Sequence, residues 1–438
     1  MRAAERPGRL GPAFGNLVTA NLASSLGDGI ARVAAPLLAA RLTEDPLLVA
    51  GIAAAALLPW LLFAIPAGIL VDRIDRRHAL ALASGVRTVL ALGLLLLVAA
   101  DALTIWWLYL VVFVYGAFET VYDGAIRAVV PSVVGRADLH RANTRIEAGE
   151  QVLQNFVAGP LTSWLLATAV LVPLGLNTAL FAVGGVLAFL LPAVAAGEHR
   201  TTPQDDAPPP WYRQLVDGFR FLWAHRQLRT LWLVSTFTGL CFSAGQAAWV
   251  LFVLDRLEVP EAWFGTFMLA GAVGGLLGTV VVGRARAALG AGTVMALANL
   301  LANLALLATG AVPVVTVALG GLLLSALAIT VWNVLVMSLR QSLIPSRLLG
   351  RVHGTWRTLL WGTMPLGALL GGLLARIDLT TPMVVGGGAA TVAGIVWFRF
   401  LTTLPDPADE PAQPAAGDAA ASTDGPAAET APGAALPD

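Results

Sequence analysis

"AGILVDRIDRRHALAL", residues 67–82, breaks an otherwise greasy chain with a knot of charge. An apolar segment runs into Asp72, then Arg73, Arg76 and Arg77 bracket a second acid, Asp75, before the chain turns apolar again. What makes this short polar connection informative is its surroundings. The 438 residues are 57% hydrophobic and only 12% charged, with a mean hydropathy of +0.76. Soluble domains carry about 25% charged residues, so lipid must be the solvent for much of this chain.

A bilayer core of roughly 30 Å needs about 20 apolar helical residues. Twelve segments meet that length, approximately 12–40, 47–71, 79–100, 104–130, 142–169, 173–195, 229–254, 262–283, 291–311, 313–339, 351–375 and 381–403. They are too long for barrel strands, and backbone groups in lipid must then bond within each segment as helices. The basic start "MRAAERPGRLGPAFGNL" leads straight into a long apolar segment containing Asp28, which reads as a first spanning helix rather than a cleaved signal.

Every one of the 27 basic residues is an arginine. With the N-terminus placed in the cytoplasm, all but five fall on inner loops or inner helix ends. Arg41, Arg256 and Arg376 lie outside, and Arg32 and Arg87 lie within the membrane. That bias sets orientation, so both termini are expected on the cytoplasmic side of the cell membrane. Outer connections are short: "TEDP", "DALT", "LVP", "AVP" and "DLTT".

The longest inner connection, 196–228, divides the chain into an N-terminal half (1–195) and a C-terminal half (229–404). Its first part is Pro-rich. From Trp211 to Trp223 aromatics and arginines alternate at helical spacing, which suits a helix lying in the membrane interface. After Leu404 comes an Ala/Pro-rich tail, 405–438, with seven acids and no base, a composition that predicts disorder. The halves also echo each other. "RAVVPSVVGR" (127–136) closes the fourth span and "RQSLIPSRLLGR" (340–351) the tenth, and each precedes a span with a mid-helix proline, "AGP" (158–160) and "MPLG" (364–367). Matching punctuation six helices apart predicts a parallel internal repeat.

The loop Gly68-x-x-x-Asp72-Arg73-x-Asp75-Arg76-Arg77, between the second and third of twelve spans, resembles the loop signature of the major facilitator superfamily, with Asp75 standing where glycine is usual. "SSLGDGIARVAAPLL", "FETVYDGAIRAVVPSVV", "RANTRIEAGEQVLQNFVAGP" and "RQSLIPSRLLGRVHGTWR" are similar to its macrolide-efflux and enterobactin-exporter branch, a resemblance covering about 14–403. It implies an all-α integral membrane fold of two pseudo-symmetric six-helix bundles that rock around a central cavity. It also implies a conformational latch. Asp72 would face the start of the eleventh span near Arg351, Arg76 would pair with Asp123, and Gly68, Arg73 and Arg77 would complete the loop.

Ionisable residues inside a membrane are functional candidates because burying charge in lipid is costly. Asp28 and Arg32 stand one turn apart in the first span and could pair along one helix face. Glu119 and Asp123 share that spacing in the fourth, and Arg87 lies at similar depth in the third. Asp28 and Glu119 are therefore the expected proton-coupling carboxylates, with Arg32 and Arg87 as their charge partners. An alternative is that Asp28–Arg32 and Arg87–Glu119 are permanently satisfied pairs. The second half has no ionisable residue in its span interiors except Arg357 near the mouth of the eleventh. Its expected contribution is an apolar and aromatic cavity wall with a few amides: Gln246, Trp249, Asn333 and Trp361, with Asn299, Asn303 and Trp332 nearby.

Other chemistries lack residues. The lone Cys241 offers no disulfide or thiolate cluster, and the five histidines all fall in inner connections without a nucleophile or acid constellation. No Walker loop is present, so neither ATP drive, a cofactor, a metal nor a nucleic-acid partner is expected, and the chain does not read as an enzyme. The expected function is proton-coupled export of amphipathic drug-like or siderophore-like molecules. Uptake, lipid or lysophospholipid transport, or a non-transporting receptor or secretion scaffold are the alternatives.

Overall fold

The computed structural model describes residues 11–192 and 211–406. The expectations for the first arginines, the Pro-rich segment and most of the acidic tail lie outside the described residues. Among those described, no strand occurs. The N-terminal half comprises α1 (Pro12–Leu42), α2 (Pro46–Arg73), α3 (Arg76–Ala99), α4 (Ile105–Val133), α5 (Leu139–Gln151), α6 (Ala158–Thr168) and α7 (Leu171–Phe189). After α8 (Trp211–Ala224) come α9 (Arg226–Gln246), the one-turn α10 (Trp249–Leu251), α11 (Glu261–Leu289), α12 (Ala291–Ala311), α13 (Val315–Leu343), α14 (Ser346–Ala375) and α15 (Thr381–Thr402). A π turn at Val152–Val157 joins α5 to α6 as one fifth span, and α9 with α10 forms a seventh span bent by 46°. Among the described residues these make twelve spans, in the order the apolar segments predict.

Nine of these helices are long and apolar enough to cross a bilayer, or ten with the bent seventh span. The remaining two are the first and fifth spans, which carry Asp28, Arg32, Gln151, Gln154 and Asn155. Their polarity has an internal destination, described below. Toward lipid the helices show bare apolar side chains, among them Val89, Leu96, Val186, Val392 and Val396. Helix starts are marked locally. Asp45 caps α2 by accepting from Leu47 N–H with Pro46 at the first position, and Asp75 caps α3 by accepting from Arg77 N–H.

The packing reproduces the internal repeat. Within the N-terminal half the first span packs on the fifth and sixth, the third on the fourth and sixth, and the second on the fourth. Adding six to each number gives the packing of the C-terminal half: seventh on eleventh and twelfth, ninth on tenth and twelfth, eighth on tenth. The halves meet along two symmetry-related seams, α2 against α14 and α6 against α11. This is the architecture of two pseudo-symmetric six-helix bundles.

Two connections make contacts that the sequence did not specify. The aromatic and arginine-rich α8 packs on the protein. Its Gly218 face seats directly on α14, where Thr355 Oγ1 donates to the Leu215 carbonyl at 3.2 Å and Leu222 is fully buried. The acidic tail begins anchored, since Asp406 accepts from Arg286 Nε at 2.9 Å and from the Ala291 backbone N–H at 3.2 Å, at the start of α12.

A cavity between the halves, closed at one end

At the end carrying the "TEDP" turn the halves share one hydrophobic core. Leu37, Leu38, Val49, Leu108 and Leu166 pack with Trp249, Phe252, Phe264 and Phe267. At the opposite end each half has its own core and no buried residue of one joins the other. The described residues therefore close around a cavity at the turn end and part at the other.

Polar contacts hold the closed end. Arg41, in the last turn of α1, forks onto Glu261 of α11 at 2.8 and 3.1 Å and also donates to the Leu166 carbonyl at 3.0 Å. Asp45 forks with Arg376 at 2.5 and 2.8 Å across the α2–α14 seam. Between α6 and α11 the backbones touch, with Gly265 N–H donating to Ser163 Oγ at 2.8 Å. Sequence reasoning missed these bridges, although a signal existed. Arg41 and Arg376 are two of the few arginines that break the side bias, and each has a structural reason to stand there.

The Arg376 hydrogen bonds are the main cause holding Asp45 below the usual carboxylate range. For a lowered carboxylate pKa, the bridge contributes fully above the ordinary value of about 3.9 and fades as pH falls through the lowered pKa. Mild acidification is thus expected to leave this end closed. A distance measurement across it should show loosening only below about pH 4, and loosening between pH 7 and 5 would contradict this. The pair is partly exposed, so its effect is small beside the packing.

The cavity behind this closure measures about 1290 Å³. That exceeds the roughly 300–1,000 Å³ of sites for drug-sized ligands. Its walls are mainly apolar and come from both halves, with polar groups clustered on α1, α4 and the π turn of the fifth span. Pro160 explains that π turn. Proline has no N–H to give and its ring crowds the carbonyl of Phe156, so the helix widens just before it. The widening carries Gln154, Asn155 and Phe156 into the wall. In the seventh span the bend between Gln246 and Trp249 does the same for those two residues.

Gln246, Trp249 and Trp361 line the cavity, and Asn333 does not. It lies on the same face of α13 as Ile329 and Thr330, one turn further toward the open end, where it is exposed. Asn303 donates to Asn299 at 3.2 Å and to the Ala390 carbonyl at 3.2 Å, so Asn303 ties α12 to α15. Trp332 belongs to the core of the C-terminal half.

Arg32 and Arg87 do pair with the two acids, but crossed relative to the Asp28–Arg32 and Arg87–Glu119 alternative. Asp28 forms its ion pair with Arg87 and accepts from the Tyr115 hydroxyl, rather than pairing with Arg32. Arg87 is fully buried, enclosed by Tyr115, Tyr122 and Phe181 with its guanidinium 4.3–5.0 Å from their ring centres, and donates to Ser24 at 3.1 Å. It is not a cavity residue. Arg32 instead faces the cavity and bridges to Glu119 at 3.5 Å, with Gln154 also within 3.5 Å. Glu119 is 16% exposed against 6% for Asp28, which makes it the more accessible carboxylate. Glu150 accepts from Asn21 at 2.8 Å.

The loop of residues 67–82 is only partly engaged. Arg76 donates to the Ala128 carbonyl at 2.9 Å and to Ser132 at 3.3 Å, not to Asp123. Arg77 bridges to Asp75 at 2.8 Å and donates to the Leu191 carbonyl. A Cβ at Gly68 would meet nothing within 4 Å, so the close approach that favours glycine is not made in this conformation. The side chains of Asp72 and Arg73 lie outside the described residues.

Two helical bundles related by a parallel repeat, with a cavity shared between them and sealed at one end, define a membrane transporter of the major facilitator type. Residues 10–419 match the family described as "Transmembrane secretion effector", and the chain belongs to that branch of the major facilitator superfamily. It is similar to the "Enterobactin exporter EntS" of Escherichia coli O1:K1 / APEC, 26% identical over 342 residues covering 77% of this chain and 79% of the relative. The EntS of Escherichia coli O9:H4 (strain HS) is 26% identical over 356 residues, 80% of this chain and 82% of the relative. Among solved structures, a variant of the nucleoside transporter NupG has a TM-score of 0.73 at 13% identity, covering 89% of this chain and 99% of the other. A bacterial homologue of the iron transporter ferroportin in an inward-facing state has a TM-score of 0.70 at 18% identity, covering 91% and 100%.

Proposed function

We propose that the chain is a proton-coupled exporter of bulky amphipathic molecules, working in the bacterial cytoplasmic membrane with both termini inside. The observation that carries this reading is the large apolar cavity with two carboxylates on its wall, Asp28 held by Arg87 and the more accessible Glu119. Export is favoured by the similarity to EntS over most of both chains. Proton coupling rests on the exchange open to Glu119. Ionised, it holds Arg32; protonated, it releases Arg32 to other partners, so the cavity charge changes with the proton. Asp28, committed to Arg87, organises the first, third and fourth spans instead.

With the termini cytoplasmic, the conformation described is inward-open. The latch around Asp72, Gly68 and α14 then belongs to the opposite, outward-open state, in which α2 approaches the start of α14. Asp72→Asn is expected to abolish transport while leaving insertion in the membrane unchanged, and undiminished transport by that variant would refute the latch. The overall reading is tested in proteoliposomes with the purified protein. A proton gradient should drive efflux of an amphipathic substrate, and counterflow without a gradient should survive. Impermeant labelling of cysteines placed in the "TEDP" turn and in residues 201–210 of intact cells should mark only the turn. Labelling of both would refute the orientation.

A further inference from the structure

Arg357 is the deepest charge in the C-terminal half, and its surroundings are unusual for a guanidinium. It lies 4.9 Å from the ring centre of Trp361, one turn along α14, and 5.5 Å from that of Trp60 on α2. The two indoles are themselves 6.1 Å apart and belong to opposite halves, and both line the cavity. Arg357 is exposed toward the open end. Among the described residues no carboxylate lies within 4.0 Å of it and no acceptor takes its N–H groups. The charged groups it feels across the opening are Arg127 and Asp123, one turn apart on α4 and opposite in sign.

Stacking on aromatic faces uses the faces of a guanidinium and leaves its in-plane N–H edge free. Such an edge is matched by a planar anion, above all a carboxylate, which accepts two parallel hydrogen bonds. The flanking indoles offer an apolar and aromatic bed for whatever body carries that anion. On the reading that this cavity is the transport site, we propose that the transported molecule is an organic anion, a carboxylate or similar planar group on an aromatic or apolar body. Its anionic end is held by Arg357 between Trp60 and Trp361, and its body lies in the cavity beyond.

The test uses the full chain in lipid nanodiscs and two matched probes, pyrenebutyrate and pyrenebutanol, which share one aromatic body and differ in charge. Binding is read as energy transfer from tryptophan to pyrene, with empty discs as background. Pyrenebutyrate is expected to bind about tenfold more tightly, the discrimination supplied by a charge-assisted hydrogen bond. Arg357→Gln should erase the difference while sparing pyrenebutanol, and Arg357→Lys should keep part of it. Soluble naphthoate should displace pyrenebutyrate. Equal binding of the two probes, or a preference undiminished in Arg357→Gln, would overturn the assignment. So would displacement by added phosphatidylglycerol but not by naphthoate, which would make the anion a lipid headgroup. Ala53→Trp, which fills the cavity wall, should weaken both probes alike. If neither probe binds, or Ala53→Trp changes nothing, the cavity reading itself fails, and that pattern differs from loss of the charge preference alone.

Discussion

Gly265→Leu is expected to hold the two halves apart at the turn end and to reduce uphill transport by more than tenfold, in a protein that still folds and inserts. The reason is steric. A Cβ on Gly265 would stand 1.9 Å from the Gly159 carbonyl oxygen and 2.0 Å from its carbon. These are backbone atoms of α6, so no side chain can swing aside. Overpacking of even one carbon costs about 1–3 kcal/mol. Here that cost falls only on the conformation in which α6 and α11 touch, so it moves the equilibrium toward the other one by about tenfold to a hundredfold. Leucine adds three further carbons. Spin labels at Glu44 and Arg256, both exposed at that end, should report a longer distance in the variant than in the parent. An unchanged distance would refute the seam as the closing contact. The α2–α14 seam should respond in kind, because a Cβ on Gly372 would stand 2.7 Å from Ala50 Cβ. That contact meets a methyl group rather than backbone carbonyl atoms, and its effect should be milder.

The second large effect separates two carboxylates that the sequence presents as equals. Asp28→Asn leaves the Arg87 guanidinium fully buried without its counter-charge. Breaking a buried pair this way costs about 3–5 kcal/mol, so low yield and a lowered unfolding temperature are expected. Glu119→Gln removes a carboxylate that faces the cavity, and its partner Arg32 has a side chain 59% exposed. Its stability should be close to that of the parent. If Glu119 couples protons to transport, Glu119→Gln loses gradient-driven efflux and retains counterflow. Melting curves and the two transport assays on both variants decide the matter. A stable Asp28→Asn that loses only the coupling would reverse the roles assigned here.

Much of the fold was legible because its causes are local. Lipid forces each run of about 20 apolar residues to satisfy its own backbone, so composition along the chain gives the spans. The prolines and capping acids that punctuate them act within a turn. Asp45 and Asp75 sit at helix starts, and Pro160 lies just past the π turn. Depth was legible too, since counting along a helix places Glu119 and Arg87 at comparable levels. Gln246, Trp249 and Trp361 were found because amides and aromatics in a span imply a polar or ligand-facing wall.

Direction around the helix axis was not legible. Asp28 and Arg32 are one turn apart and look like partners, yet a few tens of degrees of rotation turn Asp28 toward Arg87 and Tyr115 at the edge of the cavity and Arg32 toward Glu119 across it. Asn333 missed the wall by one turn for a related reason, since a cavity ends at a depth that only neighbouring helices set. Arg76 found a carbonyl and a serine hydroxyl where an acid was expected. The bridges from Arg41 and Asp45 join residues 220 and 331 positions away. No local pattern carries that information.

By itself, then, the amino-acid order determined that this chain is a pair of repeated six-helix halves in a membrane, with its intramembrane acids in the first half. Apolar length and helical period act residue by residue and need no partner. The tertiary structure alone decided which acid owns which arginine, which end is shut and where the cavity stops. Those outcomes depend on how helices distant in sequence are turned toward one another, and the energy that fixes the turning exists only once both are in contact.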